Sequence, residues 1–209
     1  EILKVALTYP LYEHIEKYPI IYAKYSDSEH FPKLDKSFFN YRNQVNINKD
    51  SLMYYPPYFG YVRTYLYNET YALGHPSVKS KYSSKFTSDL LTIIDKKITS
   101  ELSKNVLLKQ TVISHFYNKS SCEINEDPFD KFFAFSTNKK DKNQIQQIIN
   151  DSKAVKKNNI LPDFNVIDFA NIEIPISKII KGKNALLFFW NEEYYTENYI
   201  ASRINYLSK

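Results

Sequence analysis

Apolar positions along most of the chain recur at helical spacing. Leu3, Leu7 and Leu11 stand at i, i+4 and i+8, and Ile15 continues the row. Pro10 is expected to interrupt this stripe, and Pro19 and Pro32 to bracket a second segment. Asp35 is placed to cap a short helix through Phe38, Phe39 and Tyr41. Pro56-Pro57 opens an aromatic helix with Tyr58, Tyr61, Val62, Tyr65 and Leu66, and Gly74-His75-Pro76 stops it. From Ser84 the signal strengthens. Leu90, Leu91, Ile94 and Ile98 form one stripe, which Leu102 extends. Leu107, Leu108, Val112, Ile113 and Phe116 form the next. Asp127-Pro128 reads as an N-cap with proline at the first helical position, ahead of Phe129, Phe132 and Phe133. Ile145, Ile148 and Ile149 mark a last helix, ending near the basic, Asn-rich stretch 156–159. Stripes of this kind are the buried faces of an antiparallel helical array, and no fixed-period repeat identifies a solenoid.

The period changes at Leu161. Phe164 to Asp168 alternates as a strand does, and Ile172 to Ile176 does so again after a turn at Ala170-Asn171. Ala185 to Trp190 is a continuous apolar run of strand length, as in a strand buried on both faces. Thr196 then caps a helix with Tyr199, Ile200, Ile204 and Leu207. The expected organisation is a helical region over 1–157 and an α/β segment over 158–209.

Composition narrows the function. At 43% hydrophobic and 24% charged residues, the chain is an ordinary folding sequence. Only 3 glycines among 209 residues argue against a Gly-rich phosphate loop. The net charge of +5 comes from scattered lysines, with only Arg42, Arg63 and Arg203 as arginines. Nucleic-acid recognition leans on arginine forks, so no nucleic-acid partner is expected. Aromatics reach 16%, a level suited to interfaces. Cys122 is the single cysteine and reads as a free thiol in a loop, with neither disulfide nor metal-ligand spacing. His14, His30, His75 and His115 lack spacing such as HExxH, and Ser83-Ser84 and Ser120-Ser121 lack a GxSxG context. No metal and no cofactor are expected.

The last fifty residues resemble the TlpA-type thioredoxin-like proteins of the bacterial cell envelope. The resemblance rests on Leu161-Pro162-Asp163-Phe164, a short hairpin, Gly182-Lys183, and Phe188-Phe189-Trp190 before a helix, and covers about a quarter of the chain. It implies a mostly α-helical region followed by the first half of an α/β thioredoxin-like fold. It also implies an envelope location, periplasmic or outer-membrane-associated, and thiol–disulfide chemistry at a CxxC. Such a cysteine at a helix N-terminus is activated because exposed N–H groups and the helix dipole favour its thiolate. Here Tyr194 and Glu197 stand at the two cysteine positions after Trp190, and neither can attack a disulfide. These three are degenerate active-site positions. Glu192, Glu193 and Glu197 read as the acids that favour a helix start, and no histidine or aspartate stands nearby to make a paired-carboxylate hydrolase.

The family fold continues with further strands beyond the point where this sequence stops, so the thioredoxin-like part is incomplete here. The start at Glu1 lacks methionine, cap and targeting signal. The expectation is therefore an internal piece of a longer polypeptide, with membrane anchoring supplied by a part outside these 209 residues. The function expected is that of a non-catalytic accessory or scaffold subunit with protein partners in an envelope complex. The alternatives are a thiol–disulfide oxidoreductase and a helical ligand-binding module built on the Tyr-rich segment 56–71.

Overall fold

The computed structural model describes residues 2–26, 31–76, 81–118, 126–154, 160 and 162–185. The chain divides into two units, Glu1–Lys153 and Ala154–Lys209.

The first unit is helical. Helix α1 spans Ile2–Tyr25 without a break, so Pro10 does not interrupt it, and Pro19 lies inside it and opens no second segment with Pro32. Each proline removes one helical hydrogen bond, at a cost of about 3 kcal/mol in a helix interior. The helix persists because its length is held by packing. Val5, Tyr9, Glu16, Pro19 and Ala23 are buried, and α1 lies along helix α2, Pro56–Tyr71. The buried face is not the expected one. Leu3, Leu7 and Leu11 are 72%, 65% and 65% exposed. The inward face is tyrosine-rich instead. Tyr9 packs edge-on to Tyr61 with centroids 5.4 Å apart, and Tyr12 stacks on Tyr41 at 4.9 Å. Aromatic pairs of this kind add to the area they bury. The ion pair of Glu16 then fixes the rotation of the helix, as described below.

Between α1 and α2 the chain forms a 3₁₀ turn over Lys36–Gln44, kinked at Phe39. Asp35 caps it, its carboxylate accepting the Ser37 N–H at 2.8 Å. Helix α2 begins on its two prolines and gives way to Gly74, whose φ of +93° suits glycine alone. Along α2, Tyr58, Tyr61 and Val62 are fully buried.

Helix α3, Ser84–Lys97, is capped by the Ser83 hydroxyl, which accepts the Phe86 N–H at 3.2 Å. It packs against α2, against α4 (Glu101–Asn118) and against α5 (Glu126–Phe135). Its Leu90, Leu91, Ile94 and Ile98 are buried, whereas Leu102 is 46% exposed. The chain leaves the helix at Ile98 and starts a new one at Glu101, so Leu102 lies on a different axis. Leu107, Leu108 and Val112 of α4 are buried, as are Phe129 and Phe132 of α5. Helix α6, Lys139–Ala154, adds Ile145 and Ile149 to the same core. Buried Asn105 pins the α5–α6 connection: its Oδ1 accepts the Ser136 hydroxyl at 2.7 Å and the Thr137 N–H at 3.0 Å.

The second unit shows a two-stranded antiparallel sheet, β1 (Asn165–Ile167) and β2 (Glu173–Pro175), with Val166 opposite Ile174. Asp168 closes the turn by accepting the N–H groups of Ala170 and Ile172, and Asn171 takes φ 61°. Ile176 belongs not to the strand but to a short helix, α7, Ile176–Ile180. Asp163 accepts the Ser177 N–H and hydroxyl and so holds the start of α7. The described residues are thus mostly helical, with a small antiparallel sheet towards the C-terminal end.

Candidate functional site

Trp190, Tyr194 and Glu197 lie outside the described residues, as do Cys122, all but the first residue of the strand expected over residues 185–190, and the helix after Thr196. Charge is brought together instead in the helical unit, from four segments distant in sequence.

Glu16 stands at mid-α1 and is wholly buried. A carboxylate there is costly unless paired and hydrogen-bonded. Arg42, from the 3₁₀ turn, supplies the pair as a fork: Nε donates to Oε1 and Nη2 to Oε2, each at 2.7 Å. Asn68 of α2 donates its amide to the Glu16 carbonyl at 2.7 Å and also to the carboxylate. The remaining arm of Arg42 reaches Glu69 at 2.8 Å, and the other oxygen of Glu69 takes Lys97 at 2.9 Å. Two anions and two cations therefore alternate across four elements. Phe39 and Tyr65 lie against the guanidinium, with ring centroids 3.9 and 4.7 Å from its carbon.

The environment leaves its mark on protonation. Burial alone disfavours the Arg42 charge, but the bonds to Glu16 and the field of Glu69 outweigh it and raise its pKa. Burial pushes the Tyr41 hydroxyl well above the usual phenol value, and the adjacent Glu16 carboxylate adds to the rise. The hydrogen bond to Glu69 raises Lys97. Arg42 and Lys97 are thereby held cationic at neutral pH, and Tyr41 neutral.

Beside the network opens a cavity of about 740 Å³, lined among others by Phe31, Leu34, Phe39, Arg42, Asn68 and Tyr71. That volume and its mixture of apolar walls with a few polar groups are typical of small-molecule sites. Phe31 stacks on Tyr71, centroids 5.0 Å apart and planes 11° apart. Two of the lining residues each carry a buried polar atom without a hydrogen-bond partner: Asn68 Oδ1 and the Tyr71 hydroxyl. An unmade bond at such an atom costs roughly 1–3 kcal/mol. His75, also in the wall, is fixed through Nε2 by Asp89 at 2.9 Å.

This geometry can bind a small molecule. The carboxylates of Glu16 and Glu69 are both engaged by cations, and among the described residues no serine or cysteine lines the cavity. Among the described residues, no group of three or more His, Cys, Asp or Glu is placed to hold a metal ion, and no helix is long and apolar enough to cross a membrane. Sequence reasoning singled out the Tyr-rich helix but missed Glu16, Arg42, Asn68 and Glu69. One signal was available: Glu16 follows Val5, Tyr9 and Tyr12 at helical spacing, where an acid would have to be paired. Comparison of the chain with protein-family models, with curated proteins and with solved structures found no match.

Proposed function

We propose that the helical unit is a binding module that holds a small ligand in the cavity between Phe31, Phe39 and Tyr71. The observation that carries this reading is the cavity of about 740 Å³ itself, whose walls combine Phe31, Leu34, Phe39 and Tyr71 with the polar side chains of Asn68 and His75. Ala72 lines the same cavity from an exposed position. A ligand found by thermal-shift screening of the 209-residue chain should raise its melting temperature, and Ala72→Trp, which fills the cavity, should abolish that rise. A shift that survives Ala72→Trp overturns the assignment.

A second reading is the accessory or scaffold subunit of an envelope assembly that the TlpA resemblance implies. The exposed row Leu3, Leu7 and Leu11 on α1 supports it, since contiguous exposed apolar surface marks interaction sites. Under this reading, the intact protein co-purifies with a partner from the cell envelope, and Leu7→Glu with Leu11→Glu releases it. Retention by the double variant counts against the α1 row as the interface. The oxidoreductase alternative has its own test. With Tyr194 and Glu197 at the cysteine positions, insulin reduction should stay at background, and activity that survives Cys122→Ser would overturn the non-catalytic reading.

A further inference from the structure

We infer that the outer face of α1 is a dimer interface, on which α1 of a second copy of this chain lies antiparallel. The inference rests on the second reading above, in that it takes this face as an interaction site, and it names the occupant. Leu7, Leu11, His14, Tyr18, Ile21 and Tyr25 follow one another at alternating steps of four and three, and all six are exposed. That spacing is the seam of a helix that packs on another helix, where a seven-residue repeat keeps one line of side chains facing the partner. Tyr9, Glu16 and Ala23, seven apart, are buried on the opposite side, where α1 meets α2. The protein's own packing therefore uses one side of α1 and, among the described residues, leaves the seam uncovered. No Asp, Glu, Lys or Arg stands in the seam, and Pro10 and Pro19 fall beside it. At its exposure α1 presents on the order of 1,000 Å² of apolar side chain, against the roughly 800 Å² that each partner of a standard interface buries.

The two ends of the seam differ in a way that points to a second copy. Tyr18, Ile21, Tyr22 and Tyr25, at i, i+3, i+4 and i+7, surround a hollow of about 330 Å³. Four residues at that spacing form the hole that receives one side chain of a facing helix. Its walls are held in place: the Tyr18 ring lies 5.8 Å from that of Phe38 and 6.2 Å from that of Tyr22. The other end of the face carries Leu3, Leu7 and Leu11, exposed side chains of the kind such a hole takes. Each α1 thus supplies knobs near its start and a hole near its end. A parallel pair would set leucines on leucines and offer none to either hole. An antiparallel pair fills both holes by a single two-fold operation, as an isologous interface does. With Leu11 over the hollow, Leu7 lies over Tyr25 of the second copy and His14 over its Tyr18. Like charges do not meet in that register: Lys17 comes opposite Ile15, Lys24 opposite Thr8, and Lys4 lies beyond the end of the second α1. Lys17 is in addition paired with Glu13 at 2.6 Å.

The experiment is sedimentation equilibrium of the 209-residue chain from nanomolar to high micromolar concentration. A monomer of 24.7 kDa should pass into a species of twice that mass. Leu11→Lys removes a knob, and Tyr22→Glu puts a charge in the wall of the hole. Two-fold symmetry places each change in the interface twice, so each should weaken the dimer by about a hundredfold. Both side chains are exposed in the single chain, so the helical circular-dichroism signal of each variant should match the parent. An equimolar mixture of the two variants should recover the dimer. One intact knob then meets an intact hole, and the new lysine faces the new glutamate. Dimers that survive both substitutions put the contact elsewhere and overturn the inference. Monomeric variants that do not recover on mixing overturn the antiparallel arrangement. A parent chain that stays monomeric overturns the self-pairing, while the reading of this face as an interface is decided separately by the co-purification test above. A monomeric parent that floats with phosphatidylglycerol vesicles, where Tyr22→Glu does not, gives the face to a lipid surface and overturns the inference.

Discussion

Arg42 lays two nitrogens of its guanidinium on the two oxygens of Glu16, both at 2.7 Å, and so ties the middle of α1 to a segment 26 residues away. The carboxylate is fully buried and the arginine side chain 21% exposed. Breaking such a pair from one side leaves a buried charge without its partner, which costs about 3–5 kcal/mol. Glu16→Ala should therefore lower the urea-unfolding free energy by about that much, softened by the bond that Arg42 keeps to Glu69. Replacing both partners with apolar residues, Glu16→Leu with Arg42→Met, should cost less than Glu16→Ala alone, because no uncompensated charge remains. A double variant at least as unstable as the single one would mean that the packing around Glu16 matters more than its charge.

Gly60 sits inside α2 where α1 passes close. A Cβ there would come 2.8 Å from Glu13 Oε2, an atom at the end of a side chain that can turn away. Glycine in a helix interior costs about 1 kcal/mol relative to alanine. Displacing Glu13 loses its i,i+4 pair with Lys17, worth about 0.3–0.5 kcal/mol. Gly60→Ala should thus be neutral or stabilise by up to ~0.7 kcal/mol, the difference of those two effects. Chemical unfolding measures it. A loss above about 1 kcal/mol would show that the α1–α2 approach tolerates no added methyl group.

These two residues show what the sequence made legible. The existence of α2 could be read from Pro56-Pro57, and that of α3 from its apolar stripe, because caps and stripes are local. The β1–β2 hairpin could be read from alternation. The face that α1 buries could not. Leu3-Leu7-Leu11 and Val5-Tyr9-Tyr12 share the same period, and only partners elsewhere choose between them. The site was out of reach for the same reason. Asn68 meets Glu16 across 52 positions, and Arg42 meets Glu69 across 27. Pairings over such separations leave no periodic trace.

Asp50 fastens the start of α4 from outside the helix. Its Oδ1 accepts the Ser103 N–H at 3.1 Å, the Ser103 hydroxyl at 2.6 Å and the Ser100 hydroxyl. The serine hydroxyls, chiefly, hold its pKa below the ordinary carboxylate value. A carboxylate depressed in the folded state stabilises it above the unfolded pKa, and the gain is lost as pH falls through the folded value. Asp50→Asn should therefore be less stable than the parent at neutral pH, and the gap should narrow as pH drops below ~3.9. Thermal melts across that range test it. A gap that stays constant would assign the contribution of Asp50 to hydrogen-bond geometry alone.

The tyrosines of the core make the alkaline limb of stability predictable. Burial is the first cause of a raised pKa at Tyr41, Tyr58, Tyr61, Tyr65, Tyr67 and Tyr71, and at Tyr58 it reaches about 12. A phenol raised in the folded state adds stability that is complete below its unfolded value of ~10 and is lost as pH climbs through the folded values. These six should ionise only as the protein unfolds. Phenolate absorbance should therefore gain a late component that includes these six, coincident with loss of the helical circular-dichroism signal. Tyr61→Phe sharpens the test. Its hydroxyl is buried without a hydrogen-bond partner, so removing it should leave stability at neutral pH unchanged or slightly higher. The same change removes one group whose ionisation drives alkaline unfolding, and the midpoint should move to higher pH. A midpoint that does not move, with neutral stability retained, would mean that the Tyr61 phenol already reaches solvent in the folded protein.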